Sequence, residues 1–372
     1  MRVLLRDPND PPDSGNPDRP IDFHRRLPGY LETRLVDAPR LAGMLGVAKV
    51  VVKDETSRFG LPSFKVLGAS WATYAALRER LGPIADGPLS DEILRAWAAP
   101  LRPLTLLAAS DGNHGRAVAR VACWLGLGAR IFIPNFVSPG RRRAIEAEGA
   151  ELVVIDGVYD ASVDAAIDAS HSPGTLLITD TARSPSDVIP QLVTAGYTTA
   201  FVEAERQLGQ AGDDRIDAVA VQAGVGGLAS AGTSWARVTR RGRSPRVIVV
   251  EPEGAACVMA ALASGEPVTV SANQITAMSV LQCGTMSVTA FASLLAGVSC
   301  CIAIEDSWTG NAVVELAACD VRTGPSGAAG IAGLLAAFNG AFSAPIRNYL
   351  GLSADARVLA VATESSSAAE NA

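Results

Sequence analysis

Along most of this chain, short runs rich in Val and Ile alternate with longer segments rich in Ala, Arg and Glu. A short apolar run suits a strand buried on both faces, and the longer segment after it suits a helix that crosses over to the next parallel strand. Repetition of that order implies βαβ units, so the fold class is α/β with mostly parallel sheets. The pattern predicts strands over residues 49–53, 104–109, 129–134, 152–155, 176–179, 218–222 and 246–250. Helices are predicted over 64–81, 116–126, 141–149, 161–170, 190–207 and 228–237. The stretch 82–102, rich in Pro, Gly and Asp, reads as a surface excursion, and the low-complexity tail 365–372 as frayed. The strand–helix pairs inside 81–179 form a compact small unit inserted into a larger one built from 1–80 and 180–372.

With 372 residues, 48% of them hydrophobic and 19% charged, the chain has ample material for a large two-lobed core. Its formal net charge is -6 with both signs interspersed, so no basic stripe exists to neutralise a phosphate backbone, and nucleic acid is excluded as a partner. No stretch reaches the roughly 18 uninterrupted apolar residues of a membrane span. Residues 1–20 lack the charged start and apolar run of a secretory signal. These features predict a soluble, cytoplasmic protein. Six cysteines without a CxxC pair and three scattered histidines predict no metal site; in a reducing compartment the cysteines read as small buried hydrophobes.

Only three lysines are present, Lys49, Lys53 and Lys65, against twenty-nine arginines. Where Arg supplies surface charge, a retained Lys points to chemistry, because an amine can lose its proton and attack a carbonyl whereas guanidinium stays charged. Lys49 and Lys53 flank a short strand and can reach solvent or pair with Asp54 and Glu55. Lys65, between Phe64 and the Val66-Leu67-Gly68-Ala69 run, sits in a setting too apolar for a casual surface charge.

Two loops follow predicted strands and open predicted helices. Gly224, Val225, Gly226, Gly227 and Leu228 form a glycine-rich turn whose unhindered N–H groups can converge on a phosphate, although such turns also serve packing alone. Ser110, Asp111, Gly112, Asn113, His114 and Gly115 form a tight loop able to grip a substrate carboxylate. Asn113 offers an amide and Asp111 an acid–base group there, although both are ordinary turn residues.

The order and spacing of these pieces resemble the fold-type II pyridoxal 5'-phosphate (PLP) enzymes, and within them the diaminopropionate ammonia-lyases. The shared motifs are FHRRLPGY at 23–30, KDETSRFGL at 53–61, FKVLG at 64–68, SDGNHG at 110–115, TDTA at 179–182, GVGGL at 224–228, Val250-Glu251-Pro252, Cys283-Gly284 and Thr363-Glu364. The resemblance implies two open, twisted, mostly parallel sheet domains with flanking helices and PLP in the cleft between them. It implies a Schiff base on Lys65, the phosphate in the 224–228 turn, Asn113 on the ring oxygen and Thr363 facing the pyridine nitrogen. Ser110, Asp111, Gly112 and His114 would meet the substrate, with Asp111 and Asp180 as acid–base groups, although Asp111 also suits a helix cap and Asp180 an Asx turn. The implied reaction is α,β-elimination from 2,3-diaminopropionate, giving pyruvate and ammonia, by a homodimer.

The chain departs from the family at two places. Thr285-Met286 follows Cys283-Gly284 where Glu-Pro is usual, and Pro325 replaces a glutamate within Thr323-Gly324-Pro325-Ser326-Gly327, so two carboxylates are lost. Serine, threonine or a β-substituted alanine therefore stay open as substrates, as does β-replacement. A catalytically silent relative that keeps PLP for regulation is the reading from another class. Relatives also carry cysteines where Cys257 and Cys283 stand, which leaves a disulfide open.

Overall fold

The computed structural model describes residues 1–8, 19–110, 112–157, 159–212, 215–238, 244–340 and 343–366. Its strands are β1 (Arg2–Leu5), β2 (Leu35–Asp37), β3 (Lys49–Asp54), β4 (Thr105–Ala109), β5 (Gly128–Pro134), β6 (Glu151–Ile155), β7 (Thr175–Leu177), β8 (Ala218–Gln222), β9 (Arg246–Pro252), β10 (Val298–Ile304) and β11 (Arg357–Ala362). They form a seven-stranded sheet in the order β1-β10-β9-β8-β11-β3-β2 and a four-stranded sheet in the order β6-β5-β4-β7. Every pair in the small sheet is parallel, and in the large sheet only the edge strands β1 and β2 run antiparallel.

The central strands are mostly apolar because both faces of the large sheet are covered. β8 (AVAVQ) and β10 (VSCCIAI) are buried at every residue. One cover is the helix Pro325–Asn339, made largely of Ala, Gly and Leu and buried from Ser326 to Phe338; it packs against β8, β9, β10 and β11. Small side chains let it lie close to the sheet. On the other side, the helices Lys65–Leu81, Val188–Gln210 and Gly227–Arg237 pack in series, and Lys65–Leu81 also contacts Asn113–Leu125 of the small sheet's layer. Among the described residues no single helix is long and apolar enough to cross a membrane.

The middle pair of that series touches backbone to backbone. A Cβ on Gly196 would stand 2.4 Å from the Leu67 carbonyl oxygen, and one on Gly68 would stand 2.4 Å from the Tyr197 ring. His24 ties the same crossing from outside. Its Nε2 lies 3.0 Å from the Leu67 carbonyl and its Nδ1 2.8 Å from Thr199 Oγ1, so Nε2 carries the proton and Nδ1 accepts from the hydroxyl.

Three expectations from the sequence need correction. The segment 82–102 contains the helix Asp91–Ala98, capped by Ser90 and burying Leu94 and Ala98; the surrounding prolines and glycines mask its N-cap signal. Asn113, His114 and Gly115 occupy the first turn of the helix Asn113–Leu125, since the backbone becomes helical directly after Gly112. Lys53 does not reach solvent. It is 1% exposed, donates to the Thr33 carbonyl at 2.8 Å and pairs with Glu203 at 2.8 Å, because β3 lies inside the sheet and this side chain faces the helix Val188–Gln210. Arg58, equally buried, binds both Glu55 and Glu203, so two cations and two carboxylates balance.

Burial, aided by the Arg58 charge, pushes His24 down to about 3 from its ordinary 6.5. Between those values the unfolded chain takes up a proton that the folded chain refuses, so stability falls as pH drops through the window, by at most about 1.4 kcal/mol per pH unit. His24→Gln should flatten the slope of unfolding free energy against pH below 6.5 in urea titrations. An unchanged slope would place the acid sensitivity elsewhere.

Candidate active site

A cavity of about 1070 Å3 opens between the two sheets, lined by residues from both. Lys65 begins the helix Lys65–Leu81 at its floor. Its Nζ donates to Asp180 Oδ2 at 2.7 Å and lies 5.6 and 5.8 Å from the ring centres of Phe64 and Tyr197. Burial alone would raise the Asp180 carboxyl, but the Lys65 ammonium outweighs it and holds that group well below the usual carboxylate range. Burial would lower the Lys65 amine, and Asp180 reverses that shift and keeps it above its ordinary value. His114 is pushed down by burial and stays neutral; its Nε2 faces the Ile178 carbonyl at 2.8 Å, and its Nδ1, 3.9 Å from Asp180, has no hydrogen-bond partner among the described residues.

Across the cavity, β8 ends at Gln222 and the chain turns through Ala223, Gly224, Val225 and Gly226 into the helix Gly227–Arg237. Gly226 has φ +94, a conformation side chains resist. It directs the amides of the helix's first turn, which lack intrahelical partners, into the cavity. Gly224, Val225, Gly226, Gly227 and Leu228 all line it. The turn is braced from behind: the Ser287 amide donates to the Val225 carbonyl at 2.8 Å, and the Cys257 thiol to the Gly224 carbonyl at 3.4 Å. Cys257 and Cys283 remain separate thiols, which corrects the open expectation of a disulfide.

The cavity also brings together Ser110, Asn113, His114 and Thr363. The Gly112 amide donates to Ser110 Oγ at 3.0 Å, while Asp111 lies outside the described residues. Asn113 donates through Nδ2 to Glu364 Oε2 at 2.8 Å, which leaves its second N–H for another acceptor. Gln222, Tyr197 and Glu364 are wall residues to which the sequence assigned no role, Glu364 being named only within the Thr363-Glu364 motif. Adjacency to the glycine turn and to Thr363 could have marked Gln222 and Glu364. Nothing local marks Tyr197, which sits mid-helix and arrives through the Gly68–Gly196 crossing.

A family model of pyridoxal-phosphate dependent enzymes matches residues 26–348. The diaminopropionate ammonia-lyase of Salmonella typhimurium is 32% identical, with 92% of this chain and 87% of the relative covered. That of Escherichia coli K12 is also 32% identical, covering 92% of this chain and 86% of the relative. The crystal structure of the holo Escherichia coli diaminopropionate ammonia lyase matches with a TM-score of 0.85 at 29% identity, covering 98% of this chain and 94% of that one. A threonine deaminase from Solanum lycopersicum, at 22% identity and a TM-score of 0.73 over 100% of this chain and 97% of its own, shares the fold.

Tyr197 is 1% exposed, and its hydroxyl has no hydrogen-bond partner among the described residues. Burial pushes that phenol above its ordinary range, so it stays protonated. An unsatisfied buried hydroxyl costs on the order of 1 kcal/mol or more. Tyr197→Phe should therefore raise the unfolding free energy of the cofactor-free protein by about 1 kcal/mol in denaturant titrations. A loss of stability would mean that the hydroxyl is satisfied.

Proposed function

The chain belongs to the pyridoxal-phosphate dependent enzyme family, and from that premise we propose that it is an ammonia-lyase that eliminates the β-amino group of 2,3-diaminopropionate, yielding pyruvate and ammonia. The observation that carries this reading is the Lys65–Asp180 pair, 2.7 Å apart on the floor of a cavity whose opposite wall is the glycine turn. The residues present fit PLP part by part. Lys65 offers an amine for its aldehyde, and the amides of 224–228 offer a cradle for its phosphate, held in place by close packing: a Cβ on Gly224 would stand 3.1 Å from Cys283 Sγ, and one on Gly226 3.2 Å from Leu294. Asn113 has an N–H to spare for the ring oxygen, and Thr363 a hydroxyl for the pyridine nitrogen.

When bound, PLP supplies an electron sink conjugated to the substrate's amino nitrogen. The protein's part is to move protons around it. Lys65 holds a proton at Nζ as long as Asp180 faces it, and it becomes nucleophilic by passing that proton along the 2.7 Å hydrogen bond. A neutral Lys65 amine would be the base for the proton on the substrate's α carbon, and Asp180 would be the acid beside the departing β group, with Asp111 as the second acid–base candidate. The first-turn amides of the helix Asn113–Leu125 suit the substrate carboxylate, and Ser110 and His114 border it. Among the described residues, Asp160, Asp180 and Glu364 are the carboxylates lining the cavity, and they suit a substrate with a second ammonium. Serine and threonine form the second reading, favoured by neutral Thr285 and Met286 on the same wall.

We read the larger lobe as 1–80 with 180–372 and the smaller as 81–179, and the protein as a cytoplasmic homodimer. Six cysteines kept as thiols suit a reducing compartment, and light scattering on the purified protein would test the dimer.

The purified protein should absorb near about 410–420 nm as a PLP imine, and borohydride should fix that cofactor to Lys65. 2,3-Diaminopropionate should release 2-oxo acid and ammonia without an added nucleophile. Lys65→Ala should abolish the band and the turnover, and Asp180→Asn should lower kcat about a hundred- to ten-thousandfold while retaining the cofactor. A labelled Lys65 with no turnover of any of the three amino acids would instead support the silent relative. A band that survives Lys65→Ala would overturn the assignment.

A further inference from the structure

Gln222 closes β8 just before the glycine turn, is 2% exposed, and lines the cavity beside Thr363. Its Nε2 stands 2.9 Å from the Gly327 carbonyl, 3.1 Å from the Val361 carbonyl and 2.9 Å from Thr363 Oγ1. The two carbonyls decide which end of the amide is nitrogen, because the reversed amide would set oxygen against oxygen twice. An amide nitrogen accepts no hydrogen bond, so toward Gln222 the Thr363 oxygen only accepts. The Thr363 proton must point elsewhere, and among the described residues nothing accepts it.

The amide is held in this orientation at a cost. Its Oε1 is buried with no hydrogen-bond partner among the described residues, and it has room there only because position 330 is glycine, where a Cβ would stand 3.1 Å away. A glutamine serving packing alone would gain by turning that oxygen toward a donor. This one keeps its nitrogen on the end of β11 and the start of the helix Pro325–Asn339, which are the backbone neighbours of Thr363.

We propose that Gln222 is a positioning residue that makes the Thr363 hydroxyl a one-way hydrogen-bond donor into the cavity, so that only an acceptor can sit against it. Resting on the reading of Thr363 as partner of the pyridine nitrogen, this means that Gln222 keeps the ring nitrogen of PLP unprotonated. An unprotonated ring withdraws fewer electrons, which suits elimination and disfavours transamination. Gln222 acts through Thr363 and does not touch the ring itself.

The test uses holoenzyme loaded with PLP labelled by nitrogen-15 in the ring, in the wild type, Gln222→Met, Thr363→Val and the double variant. The wild type should show the shift of a neutral, hydrogen-bonded pyridine. Each single variant should weaken PLP binding by about three- to tenfold, the equivalent of roughly one hydrogen bond. The double variant should be no worse than the weaker single, since both changes remove the same interaction. Thr363→Ser, which keeps the hydroxyl, should restore wild-type affinity and shift. If Gln222→Met does not fold, Gln222→Asn, whose amide falls short of Thr363, takes its place in the cycle. A pyridinium shift in the wild type, or losses that multiply in the double variant, would overturn the proposal. Borohydride labelling of Lys65 in the same samples separates the two failures: an unlabelled wild type defeats the cofactor reading, and a labelled one with a pyridinium ring defeats only the role of Gln222.

Discussion

The approach of the helices Lys65–Leu81 and Val188–Gln210 at Gly68 and Gly196 is the constraint on which the site depends. Neither position has room for a Cβ, so the two backbones meet with nothing between them. At that separation Tyr197 lies against the first turn of the lysine helix, its ring 4.7 Å from Phe64 and its Cε2 3.6 Å from where a Cβ on Gly227 would stand. One crossing therefore sets the distance between the amine at the start of one helix and the amides at the start of another. Side chains at the crossing would move both ends of the site at once, since close-packed interiors transmit such shifts.

Two sets of buried charges flank this crossing and behave differently. Lys53, Arg58, Glu55 and Glu203 neutralise one another with several hydrogen bonds each and lie away from the cavity. Such a cluster specifies how β3 meets the helix Val188–Gln210, and no member is free to react. Lys65 has a single carboxylate partner and faces open space on its other side. One partner is enough to keep the amine charged and too few to keep it inert. The lysine with the sparser network is thus the candidate for chemistry, and it is also the more accessible one, its side chain 25% exposed against 1% for Lys53.

The parallel sheet was legible because a strand covered on both faces carries a near-continuous apolar run, as in residues 218–221 of β8 and 247–250 of β9. Lys65 was legible through the scarcity of lysine, and the glycine turn through its place between strand and helix. The same rules misjudged Lys53, because a charge beside a strand gives no sign of whether the strand is central or at an edge. They placed Asn113 in a loop, because Asn and Gly favour turns and helix starts alike. They passed over β1, β2 and the helix Asp91–Ala98, which are short elements, and assigned no strand or helix after residue 250, where the buried strands β10 and β11 and the helix Pro325–Asn339 lie.

Residue order alone determined the α/β class and the family, and it singled out the Lys65 amine and the glycine turn as candidates, since each rests on local pattern or on motifs kept in register along the chain. Only the tertiary structure could decide that Asp180 meets Lys65 across 115 positions, that Glu364 reaches Asn113 across 251, and that Gln222 grips Thr363 across 141. The last pairing joins the ends of β8 and β11, neighbours in one sheet but distant in sequence, and the first two join residues that follow strands of different sheets. Hydrogen bonds of this kind leave no periodicity to read, because their partners are set by the packing of the whole core and not by the residues on either side.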